Sequence, residues 1–134
     1  MTKFIREFLS EPQLRGIHYD SDELIRVHRD ILMAKPMIRG VFEELYRGCH
    51  ELDEQYLAGS GTRIELGAGS SFLKKINPEI VSTDIKFGAH LDRVLDAQDM
   101  DLPNDSVRAF YAIHCFHHLP EPDRFFAELE RTLI

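Results

Sequence analysis

The stretch that most constrains the fold of this 134-residue chain is the segment from Arg63 to Phe72, which reads RIELGAGSSF. A short β-prone run ends at Leu66, Gly67-Ala68-Gly69 follows at once, and apolar residues at helical spacing begin at Phe72. A strand, a glycine turn and a helix in this order let the backbone approach a ligand closely and offer it free N–H groups. The segment therefore predicts a turn that binds a nucleotide cofactor.

The residues before this segment predict two helices. Apolar side chains recur at spacings of three and four from Leu24 to Leu32 and again from Met37 to Cys49. Lys35-Pro36 separates the two runs and is expected to break or kink the helix, because the residue before a proline disfavours the helical conformation. Asp20 and Glu23 form a capping-box pattern, which predicts where the first helix begins.

The residues after the glycine segment predict strands that alternate with connections. Strands are predicted over Glu79–Thr83, Leu91–Leu95 and Ala109–His114, and a helix that carries Phe125, Phe126, Leu129 and Leu133 is predicted to begin near Pro120 and Pro122. This alternation favours a parallel α/β sheet that binds ligands at the carboxyl ends of its strands. Gly59-Ser60-Gly61 is the clearest internal boundary, so we expect a helical cap segment over 1–58 and a cofactor-binding domain over 59–134.

Charge and apolar content argue against several classes of protein. Lys and Arg number 16 against 23 Asp and Glu, a formal net charge of −7, which repels nucleic acid in the absence of a basic patch. The apolar runs are too short for a membrane span or a signal peptide. Cys49 and Cys115 are isolated thiols without metal-ligand spacing, as is typical of a reducing cytoplasm. We therefore expect a cytoplasmic protein that acts on a small molecule.

Four segments follow the predicted strands in order: ELGAGSS, STDI, DAQDMDLPNDSV and HCFHHLPEPDRFFAELERTL. Together they resemble the motifs of the class I S-adenosylmethionine-dependent methyltransferases, and among these the type 11 enzymes that act on small molecules. The resemblance implies a Rossmann-like parallel α/β sheet that contains the first strands of that fold, in the order 3-2-1-4, with helices N-terminal to it. It also implies S-adenosylmethionine as the cofactor.

Members of this family continue beyond the fourth strand into a larger sheet, whereas this sequence ends at Ile134. We therefore expect a truncated form that contains the N-terminal half of the cofactor-binding domain and has impaired turnover. The fourth strand would then lie at the edge of the sheet. An apolar edge of that kind favours pairing with another chain, so the alternative to a fragment is a homo-oligomer that supplies the missing half through this edge.

The resemblance also implies which residues bind the cofactor. The glycine turn would pass close to the methionine and the sugar, Glu65 would reach the ammonium group or a bridging water, and Asp84 would accept both ribose hydroxyls. The adenine would contact Asp96 and the Ala97 backbone, and Ile85 and Met100 would pack on the two faces of the purine. His114 would lie beside the methionine end. The expected set is Glu65, Gly67, Ala68, Gly69, Asp84, Ile85, Asp96, Ala97 and His114. An ordinary tight turn, loop acids, a helix cap and core packing remain alternative explanations of these residues.

Catalysis and acceptor binding are less specified by the sequence. His114 and His117 are candidate general bases, because histidine titrates near neutral pH. The acceptor site in this family is usually built outside the core, which makes Tyr19, His28, Arg29 and Lys35 candidate substrate contacts; a solvated helix face is the alternative for each. His114 and His118 lie four residues apart, but no His-Glu-x-x-His pattern accompanies them, so we expect no metal site.

Two rival functions are testable against the sequence. A dinucleotide-binding turn needs a small residue where this chain has Phe72, so NAD chemistry is disfavoured. A catalytically silent module that binds S-adenosylmethionine or another protein is the other rival. Arg108 motivates it, because many members of the family carry an acidic residue there, and so does the expected loss of the C-terminal half.

Overall fold

A computed structural model of the chain describes residues 11–18, 21–57 and 59–134. Within these ranges, two helices precede a parallel sheet, and a third follows its last strand. The elements are α1 (Asp22–Ala34), α2 (Pro36–Tyr56), β1 (Thr62–Glu65), β2 (Val81–Asp84), β3 (Arg93–Val94), β4 (Val107–Tyr111) and α3 (Pro122–Thr132), with single 3-10 turns at Pro12–Leu14, Leu73–Lys75 and Phe116–His118.

The four strands lie in the order β3-β2-β1-β4, and every pairing is parallel. The predicted α/β sheet and its strand order are therefore confirmed. β1 is central: Ile64 pairs with Val81 of β2 on one side and with Phe110 of β4 on the other. Because all strands run the same way, their carboxyl ends meet at one edge of the sheet, where ligands bind in folds of this kind.

Helices cover both faces of the sheet. On one face, Tyr46 of α2 packs in a buried cluster with side chains that include Phe72 and Tyr111. On the opposite face, Phe125 of α3 packs in a second cluster that includes Ile64. The N-terminal helical segment therefore shares a hydrophobic core with the sheet, while the proposed boundary between 1–58 and 59–134 stays a prediction.

Arg108 occupies a β-bulge in β4. Thr62 pairs with Val107 and Arg63 pairs with Ala109, so β4 carries one extra residue at this point. The Arg108 side chain turns back toward the linker before β1, where its Nε donates to the Leu57 carbonyl oxygen at 3.2 Å. The charge reversal noted at this position therefore serves a contact at the amino end of the strand.

Three expectations about element boundaries are corrected. The helix predicted after the glycine turn is a single 3-10 turn, Leu73–Lys75, because Pro78 follows closely and disfavours helix in the residue before it. The predicted strand through His114 ends at Tyr111, since Glu65, its partner, is the last residue of β1. The helix α1 has Ser21 as its N-cap; Asp20, the predicted cap, lies outside the described residues.

A buried ion pair fastens α2 to the sheet. Asp53 is 4% exposed and accepts hydrogen bonds from Arg63 Nε at 2.5 Å and Nη2 at 3.1 Å. The hydroxyl of Tyr111 donates to the same carboxylate at 2.5 Å. Burial opposes ionisation of Asp53, but the bonds from Arg63 and Tyr111 outweigh it and hold the pKa of this carboxyl below its ordinary value.

β4 lies at the edge of the sheet, and the last residues of the chain pair with its beginning. Leu133 forms a parallel bridge with Val107, and the Ile134 N–H donates to the Val107 carbonyl oxygen at 3.0 Å. The homo-oligomer expected at this edge stays a prediction. Among the described residues, no helix combines the length and the apolar character that a membrane crossing requires.

Candidate cofactor-binding site

The site begins at the glycine turn that follows β1. Gly67 has φ of +63° and Gly69 has φ of +49°, a region that residues with a side chain rarely adopt. A Cβ on Gly67 would lie 2.7 Å from Cys115 Sγ, so no side chain fits there. The Ala68 N–H donates to the Thr83 carbonyl oxygen at 2.8 Å, which holds the turn against the end of β2.

Asp84 and His90 hold the second glycine from both sides. Asp84 Oδ2 accepts the Gly69 N–H at 2.8 Å, and its Oδ1 accepts the Lys86 N–H at 2.9 Å. His90 Nε2 lies 2.8 Å from the Gly69 carbonyl oxygen; because that oxygen only accepts, Nε2 carries the proton. Burial lowers the pKa of His90, which favours the neutral ring. Sequence reasoning missed His90, since no motif marks it.

A cavity of about 400 Å³ opens on one side of the turn, and we call it the strand-end cavity. Asp84 and Asp96 contribute to its wall together with residues that follow β4, such as His118. Seven of the predicted cofactor residues line it: Gly67, Gly69, Asp84, Ile85, Asp96, Ala97 and His114. The two acids at neighbouring strand ends therefore share one pocket with the glycine turn. Met100, which was weighed as a contact of the purine, is buried in the core instead.

A second cavity of about 250 Å³ lies on the other side of the turn, and we call it the helix-side cavity. The remaining two predicted residues, Glu65 and Ala68, line it, and it shares Gly67, Gly69 and His114 with the strand-end cavity. Its outer wall comes from the N-terminal helices: Leu32 of α1, and Phe42 and Tyr46 of α2. The glycine turn and His114 are thus common to two adjoining cavities.

Glu65 is a buried acid at the base of the helix-side cavity. It is 2% exposed, and Ser82 Oγ donates to its Oε2 at 3.0 Å. Burial raises the pKa of this carboxyl above its ordinary value, and hydrogen bonds from Ser71 and Ser82 and the charge of Arg29 offset only part of that effect. A cation bound in the cavity would stabilise the ionised form, because a buried charge is costly without a partner.

The aromatic wall of the helix-side cavity was not predicted as part of a site. The Phe42 ring centroid lies 6.2 Å from that of His114, and the Tyr46 centroid lies 5.1 Å from that of Phe72. Burial raises the pKa of the Tyr46 hydroxyl, which keeps it neutral. In the sequence Phe42 and Tyr46 carry only the signal of an apolar helix face, which does not distinguish a cavity wall from core packing.

The residues proposed for catalysis and acceptor binding are dispersed. His117 is exposed and lines neither cavity. His28 is also exposed, and Lys35 pairs with Glu11. Arg29 reaches the glycine segment, where its Nη1 donates to the Ser71 carbonyl oxygen. Tyr19 lies outside the described residues. Among the residues that are described, no group of three or more histidine, cysteine or acidic side chains is placed to hold a metal ion.

Parallel strands in the order β3-β2-β1-β4, helices on both faces and a glycine turn at the strand ends define an α/β protein with the Rossmann-like methyltransferase fold. A family model described as a methyltransferase domain matches residues 64–134, which is more than half of the chain. The chain therefore belongs to this family, the class I methyltransferases. No curated protein and no solved structure matches the chain.

Proposed function

We propose that the chain binds S-adenosylmethionine and transfers its methyl group to a small-molecule acceptor. The observation that carries the proposal is the glycine turn shared by two adjoining cavities, one with two acids at strand ends and one with a buried acid. S-adenosylmethionine has the matching parts: a neutral nucleoside with two ribose hydroxyls, and an amino-acid end joined to it through a sulfonium.

The strand-end cavity suits the adenosine. The carboxylate of Asp84 can accept from the ribose hydroxyls while it holds the Gly69 N–H, because each carboxylate oxygen accepts more than one hydrogen bond. Asp96 and the Ala97 backbone offer an acceptor and a donor for the adenine edge. Ile85 is 63% exposed and lies in the cavity wall, as a residue that stacks on a purine would.

The helix-side cavity suits the methionine end. Glu65 would take the ammonium group. A positively charged ligand would favour the ionised form of this buried acid, and this is the physical reason to place the ammonium group beside it. The cofactor supplies an activated methyl group, so the protein mainly has to orient the acceptor and exclude water.

His114 lines both cavities and is the candidate base where an acceptor must lose a proton. His114→Asn is expected to lower turnover, whereas His117→Asn is expected to leave it unchanged.

Calorimetry tests the proposal. Wild-type protein is titrated with S-adenosylhomocysteine, the demethylated product, and separately with NAD. We expect binding of the first and none of the second, and loss of S-adenosylhomocysteine binding in Asp84→Ala. Asp101→Ala is the matched control, because the Asp101 side chain is fully exposed and lines neither cavity. Binding of NAD, or binding that survives in Asp84→Ala, would contradict the proposed site.

A turnover assay separates an enzyme from a catalytically silent module. Arg108, the residue that motivated the silent alternative, contacts Leu57 and lines neither cavity. The contacts of Arg108 therefore give no reason to prefer that alternative, and the expected loss of the C-terminal half is its remaining motive. The free thiols of Cys49 and Cys115 support a cytoplasmic setting for the reaction. Cofactor binding without methyl transfer to a broad panel of small oxygen, nitrogen and carbon acceptors would support the silent module.

A further inference from the structure

The methionine end of S-adenosylmethionine is a zwitterion at neutral pH, so its carboxylate needs hydrogen-bond donors, and a cation makes the strongest of these, while its ammonium needs an acceptor. Glu65 supplies the acid in the helix-side cavity. We propose that Arg29 of α1 binds the carboxylate. The inference rests on the proposed function, and it makes the N-terminal helices part of the cofactor site as well as a cap.

The position of Arg29 is set by its contact with the glycine segment. Its Nη1 donates to the carbonyl oxygen of Ser71, which lines the helix-side cavity two residues after Gly69. The charge of Arg29 acts on groups around that cavity, since it offsets part of the rise that burial causes in the pKa of Glu65 and of Tyr46. The guanidinium is therefore held against Ser71, a residue of the cavity lining on the same segment that shapes the cofactor turn.

The chemistry of the guanidinium matches the task. It carries five N–H donors in a planar fork that suits a carboxylate, and Ser71 takes one of them. Among the side chains that the structure describes, none of the ion pairs involves Arg29. Arg26, three residues earlier on the same helix, differs because it pairs with Glu23 at 3.1 Å and Asp30 at 3.3 Å on the exposed side.

Arg29 was first considered as a contact of the acceptor, and the geometry favours the cofactor. Of the candidate substrate contacts that the structure describes, Arg29 alone reaches the glycine segment, whereas His28 is exposed and Lys35 is paired with Glu11. A cation fixed to the backbone of the cofactor turn has the same position whichever acceptor is used. Its effect is therefore measurable without an acceptor.

Two ligands separate this role from a merely structural one. S-adenosylhomocysteine carries the amino-acid end, and 5′-methylthioadenosine lacks it. We expect Arg29→Gln to weaken S-adenosylhomocysteine binding about tenfold or more, the usual scale for a charge-assisted pair, and to change 5′-methylthioadenosine binding less than about twofold. Arg26→Gln, on the same helix, is expected to leave both affinities unchanged. Arg29→Lys should restore part of the lost affinity, because it keeps the charge without the fork.

Equal losses for the two ligands in Arg29→Gln would overturn the proposal, as would no loss for either. A ligand-side measurement on wild-type protein covers the case in which the variant does not fold. S-adenosyl-3-thiopropylamine, the decarboxylated analogue of S-adenosylhomocysteine, should bind about tenfold more weakly than the parent compound, and equal affinity would overturn the proposal. Failure of wild-type protein to bind either adenosyl ligand would instead remove the proposed function itself.

Discussion

The two cavities differ in how much of the chain each one requires. The strand-end cavity is built entirely from residues 67–120, at the tips of neighbouring strands and in the loops that follow them. The helix-side cavity uses the same glycine turn, but its outer wall comes from Leu32, Phe42 and Tyr46, which precede β1 in the sequence. One cavity is therefore a property of the parallel sheet, and the other depends on how the N-terminal helices dock.

Different interactions therefore hold the two cavities in shape. Parallel backbone pairing of β1 with β2 holds the strand tips that contribute to the strand-end cavity. Docking of α2 depends on the buried pair of Asp53 with Arg63 and on the contact of Tyr46 with Phe72. Changes at the helix interface should therefore affect the amino-acid end of a ligand more than its adenosine.

Removal of the buried pair between α2 and the sheet should have the largest effect. Asp53→Ala leaves the guanidinium of Arg63 without its carboxylate, which typically costs about 3–5 kcal/mol of unfolding free energy. Denaturant unfolding of the wild-type and variant proteins measures this loss of unfolding free energy. Where enough native protein remains, S-adenosylhomocysteine should lose more affinity than 5′-methylthioadenosine. Tyr111→Phe, which removes one hydrogen bond to the same carboxylate, should cost only about 1–2 kcal/mol.

The same pair gives a pH dependence. The pKa of Asp53 is lowered in the folded protein, so its stabilisation is fully present above the unfolded pKa of about 4 and is lost as pH falls through the folded pKa. Wild-type protein should therefore lose stability below about pH 4 more steeply than Asp53→Asn. Parallel curves for the two proteins would show that the ion pair does not fasten α2.

A substitution in the shared turn should affect both cavities equally. Gly67→Ala places a side chain at a φ of +63° and 2.7 Å from Cys115 Sγ. The backbone strain alone costs about 1–3 kcal/mol, and we expect both adenosyl ligands to lose binding in calorimetry. Gly48→Ala is the control, because α2 leaves open space there; it should stabilise the helix by up to about 1 kcal/mol and leave binding unchanged. Normal binding of either ligand by Gly67→Ala would contradict the prediction that the two cavities depend on the same turn.

The smallest effect is expected at Glu65. Its folded pKa is raised, so ionisation disfavours the folded state, and the stability of the ligand-free protein should fall as pH rises from the unfolded pKa through the folded one. Glu65→Gln removes this decline and keeps an acceptor for Ser82. It should also weaken S-adenosylhomocysteine binding about tenfold without changing 5′-methylthioadenosine binding. Thermal unfolding from pH 4 to pH 8 and calorimetry with both ligands measure these effects.

Much of the strand-end cavity could be predicted, because its residues are marked by local patterns. Gly67 and Gly69 follow a β-prone run, Asp84 and Asp96 follow two more, and parallel strands bring such positions to one edge. One local pattern near this cavity gave a wrong strand boundary. The apolar run through His114 does not end where the strand ends, since β4 loses its partner when β1 turns at Gly67.

The amino-acid sequence by itself determined the alternation of strands with connections and the residue types at the carboxyl ends of the strands, because both follow from short-range periodicity and turn chemistry. The strand order came from the resemblance to the methyltransferase motifs, and the structure confirms it. Only the tertiary structure decided that α1 and α2 close the second cavity. An apolar helix face has the same pattern whether it packs against core or against a ligand, and the partner of Arg29 lies 42 residues away in the chain. Contacts over that separation are set by packing, which no local pattern records.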